Sequence, residues 1–138
     1  WVDDPDTVFA ELLTAVPWRA ERRTMYDRVL DVPRLVSFCD LSPDTPPHPA
    51  VGRLRRRLND IYGGELGEPF TTAGFCLYRD GSDSMAWHGD TIGRGHTDDT
   101  MVAVASLGAT RVFAMRPRGE RFTSSTGSPP VSCRSTAR

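Results

Sequence analysis

The sequence contains no lysine and no glutamine, and all 17 of its basic residues are arginine. The absence of lysine most simply reflects a coding bias toward G and C. It also leaves only forked, bidentate donors for any phosphate or carboxylate. Cysteine is scarce: Cys39, Cys76 and Cys133 lie far apart and form no C-x-x-C pair. That argues against a zinc ribbon or a disulfide framework and makes a reducing cytoplasm the expected compartment. Long apolar runs are missing. Stretches such as Met101-Val102-Ala103-Val104-Ala105 are far too short to cross a bilayer, so no membrane partner is expected. The opening Trp1-Val2-Asp3-Asp4 has neither the basic nor the apolar segment of a signal peptide, and no initiator Met precedes it. The sequence is therefore expected to begin partway into a longer chain. A net charge of −1 does not mark the whole chain as a nucleic-acid binder.

What is present suits one soluble domain. The chain has 138 residues, 38% hydrophobic and 25% charged, enough apolar material for a core and too much for wholesale disorder. A monomer is expected. Near the start, Asp4 can cap a helix and Pro5 suits its first turn. Val8, Phe9, Leu12, Leu13 and Val16 then share a face, and Pro17 closes the segment. Residues 29–38 contain Val32-Pro33-Arg34-Leu35-Val36 and read as a short edge strand interrupted by proline. Pro43, Pro46, Pro47 and Pro49 mark a loop, in which His48 carries no assigned chemistry. A second helix is predicted over 49–62, with Val51, Leu54, Leu58 and Ile61 on one side and Gly63-Gly64 ending it. Its other face carries Arg53, Arg55, Arg56 and Arg57. These form either a solvated face, the favoured reading, or a phosphate-facing patch.

From Thr71 the pattern turns to β. Residues 73–79 read as a strand, Asp80-Gly81-Ser82-Asp83 as a hairpin turn, and residues 84–88 as the returning strand. Residues 100–107 and 110–116 follow as two more, separated by Gly108-Ala109. Helices first and antiparallel strands after them predict an α+β fold with a sandwich or rolled barrel. The last stretch, 123–138, is rich in Ser, Thr and Pro and has only Val131 as a sizeable aliphatic. It reads as a disordered tail.

Chemistry concentrates in Tyr78-Arg79-Asp80-Gly81-Ser82-Asp83-Ser84-Met85-Ala86-Trp87-His88-Gly89-Asp90. On an extended strand, residues two apart project from the same side, so His88 and Asp90 can reach one metal ion together. A His-x-Asp pair supplies two thirds of the 2-His-1-carboxylate triad that suits non-haem iron(II). Taken alone the pair is weak, and a surface His beside a turn Asp is the plainer reading. Its surroundings sharpen it. Leu77-Tyr78-Arg79-Asp80-Gly81 before it, Ser106-Leu107-Gly108-Ala109-x-Arg111-x-Phe113 after it, and Pro33-Arg34-Leu35 upstream resemble the AlkB family of iron(II)- and 2-oxoglutarate-dependent nucleic-acid demethylases. The resemblance runs from about residue 29 to residue 118.

The resemblance implies N-terminal helices packed on a double-stranded β-helix, or jelly roll. It implies an oxidoreductase, a dioxygenase of DNA alkylation repair, that uses iron(II), oxygen and 2-oxoglutarate to remove N-methyl groups from bases of alkylated DNA or RNA as formaldehyde. A base worked on in this way is first flipped out of the helix. His88 and Asp90 would hold the iron. Tyr78 matches the position whose hydroxyl helps hold 2-oxoglutarate; it reads equally as a half-buried strand tyrosine. Two residues earlier, relatives often carry an Asn that also touches the co-substrate, and this chain has Cys76, a poorer donor. No catalytic residue is expected beyond the metal centre. Trp87 is expected to pack in the core in preference to stacking on a base. Arg111 can orient substrate or pair with an Asp, and the sequence does not choose. The loop of residues 93–99 lies where relatives have a mobile loop, and its His96 reads as a solvent-exposed residue.

The family also implies a second iron His and a co-substrate Arg on later strands. The chain has no His after His96, and Arg134 and Arg138 lie in the tail without a strand pattern. Residues 1–122 are thus expected to form a dioxygenase domain incomplete at its C-terminus, and 123–138 a tail foreign to the family. The sharp change in composition near Thr123 suggests a truncated or frameshifted member. Translating the underlying DNA in the other frames tests this, and finding no strand-like continuation with His and Arg there would sink the idea. As written, the polypeptide is expected to be inactive or poorly folded. Two other functions stay open: a non-catalytic nucleic-acid-binding remnant that uses its arginines, and a 2-oxoglutarate oxygenase acting on another substrate.

Overall fold

A computed structural model describes residues 1–25, 27–41, 45–88 and 101–115. Asp90, the 93–99 loop with His96, and the 123–138 tail lie outside the described residues. The element order is α1 (Pro5–Ala15), β1 (Arg19–Met25), β2 (Arg28–Asp40), α2 (Pro49–Leu66) and β3 (Thr72–Leu77). Two helices and a three-stranded antiparallel sheet of order β1-β2-β3 make the class α+β.

Helix α1 forms as its sequence predicts. Asp4 caps it by accepting from the Thr7 amide, and Pro5 occupies the first turn. The chain leaves the helix at Val16, and Trp18 turns back so that its Nε1 donates to Leu13 O at 3.2 Å. Trp18 then meets Phe75 of β3 edge-on at 6.4 Å, which ties α1 to the far strand of the sheet. Among the described residues, Val8, Val16, Leu41 and Ala50 are the buried hydrophobic ones.

Strand β2 is the centre of the sheet, which corrects the expectation of an edge strand. Proline is tolerated there because the β1–β2 pairing slips. Ala20 pairs with Leu35 and Arg22 with Asp31, so residues 32–34 bulge opposite Glu21 and no ladder bond needs a Pro33 amide. Strand β1 was not foreseen, because Arg19-Ala20-Glu21-Arg22-Arg23-Thr24-Met25 has no apolar alternation. Beyond the bulge, β2 pairs regularly with β3 from Leu35–Leu77 to Asp40–Thr72.

Helix α2 begins under an unusual cap. His48 Nδ1 accepts from the Ala50 amide at 3.2 Å, and Nε2 meets Glu11 Oε2 of α1 at 2.8 Å, so one imidazole starts α2 and fastens it to α1. The helix runs past Gly63 and Gly64, four residues beyond the expected end at 62. It stops where Gly67 adopts φ 70° and donates to Gly63 O. Glycine inside a helix costs stability without ending it; a left-handed residue ends it. On the arginine face, Arg55 turns inward, with Nε donating to Phe70 O at 3.0 Å and Nη1 to Leu41 O. Arg53, Arg56 and Arg57 are exposed, and the guanidinium of Arg57 lies 4.9 Å over the Trp1 ring.

After Leu77 the expected hairpin is only partly realised. The turn is present, but residues 84–88 and 101–111 are not in strands, and Val112 forms an isolated bridge. Gly108 sits at φ 79° against the Phe9 ring, where a Cβ would come within 3.3 Å of it. This close approach seats the 106–111 segment on α1.

Candidate functional site

Of the sequence-predicted residues, Cys76 lies on β3, Tyr78 just beyond its end and His88 after the 80–83 turn. Along β3, exposure alternates. Ala73, Phe75 and Leu77 face inward and Cys76 outward, and Tyr78 follows half-buried just beyond the strand. Burial, then the neighbouring Cys76, push the Tyr78 phenol above its ordinary range, while Arg34 and Arg111 pull it down. A phenol is protonated at neutral pH even at its ordinary value, so the hydroxyl is a hydrogen-bond donor suited to a carboxylate.

The turn itself is tightly built. Asp80 Oδ1 accepts from both the amide and the hydroxyl of Ser82, at 2.8 and 2.6 Å. Asp83, buried at 3% exposure, takes three bonds from Arg79, each 2.8 Å, from the backbone amide, Nε and Nη2. These bonds from Arg79 hold the Asp83 carboxyl down at about 2.

Two further arginines hold the turn from outside. The Arg111 guanidinium lies 4.2 Å over the Tyr78 ring. Its Nη1 donates to Asp80 O at 3.0 Å and its Nη2 to Asp83 O. Arg34, in the bulge of β2, donates through Nη1 to Ser84 O at 3.1 Å, and Pro33 O accepts from the Ser84 amide at 2.8 Å. Arg34 Nε is buried without a hydrogen-bond partner. The sequence marked Arg111 without its role and named Arg34 only as part of a strand and of a resemblance, with no role of its own. Their partners stand far away in the chain, where no local pattern signals them.

His88 is exposed, with Nδ1 2.9 Å from Ala86 O. A carbonyl can only accept, so this contact calls for the tautomer with the proton on Nδ1, in which Nε2 of a neutral ring carries the lone pair. That is the form in which imidazole binds a metal. Asp90, its expected partner, is outside the described residues. Among the described residues no group of three or more His, Cys, Asp or Glu is assembled for a metal. Trp87 is 47% exposed and is not a core residue, contrary to expectation. A groove of about 600 Å³ lies elsewhere, between α2 and residues 101–107, lined by Leu54, Leu58, Tyr62 and Met101 among others. Neither Tyr78 nor His88 lines it. No helix of the described residues is long and apolar enough to cross a membrane.

No protein-family model matches the chain. Curated relatives do. The chain is 28% identical over 128 residues to the alpha-ketoglutarate-dependent dioxygenase alkB homolog 3 of Bos taurus, covering 83% of this chain and 42% of that protein. Against the Homo sapiens protein of the same name the identity is 28% over 130 residues, covering 85% of this chain and 43% of the relative. An uncharacterized protein of Acanthamoeba polyphaga mimivirus is 32% identical over 95 residues, covering 69% of this chain and 46% of its own length. The chain thus spans less than half the length of the curated relatives it matches. The names of the two mammalian relatives support an AlkB-like, 2-oxoglutarate-dependent dioxygenase relationship at low identity.

Proposed function

We propose that this chain carries part of the active site of an iron(II)- and 2-oxoglutarate-dependent dioxygenase of the AlkB type, acting on alkylated bases of DNA or RNA. The supporting observation is the similarity to proteins named as alpha-ketoglutarate-dependent dioxygenases over 83% of the chain. It spans the stretch in which Tyr78 and His88 flank one pinned turn. The fold that accompanies the proposal is the jelly roll, to which the three-stranded sheet would contribute.

In this reading His88 and Asp90 hold iron(II), and Tyr78 donates its hydroxyl to 2-oxoglutarate beside Cys76. When bound, the iron and the keto acid supply the oxidising power that removes an N-methyl group. The chain's own residues do the positioning. Ala86 O would fix the His88 ring through Nδ1, in the tautomer whose Nε2 could serve as an iron ligand. The protonated Tyr78 offers a neutral donor to a carboxylate without repelling it.

The test is release of formaldehyde from N-methylated oligonucleotides by the full chain supplied with iron(II) and 2-oxoglutarate. Release that requires both additions supports the reading and overturns the expectation that the chain as written is inactive. If there is no release and the chain still binds the oligonucleotide, the catalytic reading fails and a binding role remains. Co-substrate turnover without any effect on the nucleic acid would transfer the activity to another substrate.

A further inference from the structure

We propose that Arg111 is a positioning residue, which fixes the Tyr78 ring and the 80–83 turn so that the hydroxyl is aligned for the carboxylate of 2-oxoglutarate. The inference rests on the dioxygenase reading above. Arg111 is 33 residues from Tyr78 in sequence and covers its ring at 4.2 Å. The same guanidinium spans the turn, from Asp80 O to Asp83 O. A planar fork can make both hydrogen bonds and the stacking contact at once; an ammonium cannot. With one ring face occupied by a cation that is itself anchored at two carbonyls, the phenol loses the freedom to swing on that side. The far side of the turn is fixed independently by Arg34 and Pro33 at Ser84. The spacing between Tyr78 and the segment leading to His88 is therefore set before any ligand arrives, and ordering it is not charged against ligand binding.

The test compares the full-length wild-type chain with Arg111→Met, Arg111→Lys, Tyr78→Phe and the double variant Arg111→Met/Tyr78→Phe. Two quantities are read: 2-oxoglutarate affinity by calorimetry with Mn(II) in place of iron, and amide hydrogen exchange across residues 80–84 without ligand. Arg111→Met should bind 2-oxoglutarate about tenfold more weakly, with Arg111→Lys close to it, while Mn(II) affinity stays within twofold. Exchange in the turn should quicken by an order of magnitude. Because Arg111 acts through Tyr78, the double variant should bind no more weakly than Tyr78→Phe alone. Full additivity of the two losses, or unchanged 2-oxoglutarate affinity in Arg111→Met, overturns the proposal. A wild-type chain that binds no 2-oxoglutarate, while its turn is protected and loosens in Arg111→Met, overturns the dioxygenase reading and leaves Arg111 a purely structural brace. If Arg111→Met does not fold, Arg111→Lys and its double variant with Tyr78→Phe carry the same comparison.

Discussion

Arg79 and Asp83 meet as a bidentate pair, Nε on Oδ2 and Nη2 on Oδ1, both at 2.8 Å, with a further bond from the Arg79 amide. The carboxyl is held at about 2, first by the side-chain bonds and then by the backbone bond from Arg79. A carboxyl with a lowered folded-state pKa stabilises the fold fully above its unfolded value, near 4, and the contribution fades as pH falls toward about 2. Thermal melts of the wild-type chain should therefore drop through that window. Asp83→Asn should melt lower at neutral pH and drop less between pH 4 and 2. Parallel curves for the two proteins would show that the pair contributes nothing. Asp80 is also lowered, first by its side-chain and backbone bonds from Ser82, while the Asp83 charge opposes this, so Asp80 adds to the drop in both proteins and somewhat more in Asp83→Asn.

Gly108 and Gly63 should respond in opposite directions to the same methyl group. At Gly108 alanine meets both a left-handed backbone and the Phe9 ring at 3.3 Å, so Gly108→Ala should destabilise by about 1–3 kcal/mol. Gly63 lies inside α2 with nothing within 4 Å of its would-be Cβ. There Gly63→Ala should stabilise by about 0.5–1 kcal/mol. Urea denaturation reads both, and equal effects would contradict the packing of residue 108 on α1.

Arg55 and Arg56 are neighbours with different tasks. Replacing Arg55 by Met strips the carbonyls of Phe70 and Leu41 of their guanidinium partner and should cost about 1–3 kcal/mol. The exposed Arg56 should tolerate alanine within about 0.5 kcal/mol. The denaturation midpoints of the two variants check this.

His88→Ala should lower any iron-dependent activity on the order of 100-fold or more. Loss of groups that merely orient a metal ligand already costs roughly 10- to 100-fold. Formaldehyde release and iron(II) titration of the same variant should fail together; activity that survives would remove His88 from the proposed centre.

Cys76→Asn should tighten 2-oxoglutarate binding. The residue is exposed and shares the strand face that leads to Tyr78, and an amide donates far better than a thiol. One added hydrogen bond of about 1 kcal/mol is roughly a fivefold gain in affinity. Calorimetry on the variant measures it, and unchanged or weaker binding would place the co-substrate elsewhere.

Legibility followed the range of the forces involved. Helix α1 could be read because Asp4, Pro5 and the apolar spacing all act within a few residues. The end of α2 was misplaced because Gly63-Gly64 resembles a stop in composition, while the actual stop is the backbone sign at Gly67. Strand β1 escaped because an edge strand rich in charge has no apolar face to betray it. Tyr78 and His88 were legible as motif members. Arg111 could not be assigned because its three partners, the Tyr78 ring and two backbone carbonyls, have no sequence signature at a distance of about 30 residues.

The unequal flanks of the sheet have a consequence for association. The outer flank, β1, presents Arg19, Glu21, Arg22 and Arg23, and a row of charges resists templating by a second chain. The opposite flank, β3, has Thr72, Ala73, Gly74, Phe75, Cys76 and Leu77 and no charge. Among the described residues the uncharged flank is thus the better template, and a strand that joined it would dock along the backbone leading directly into Tyr78.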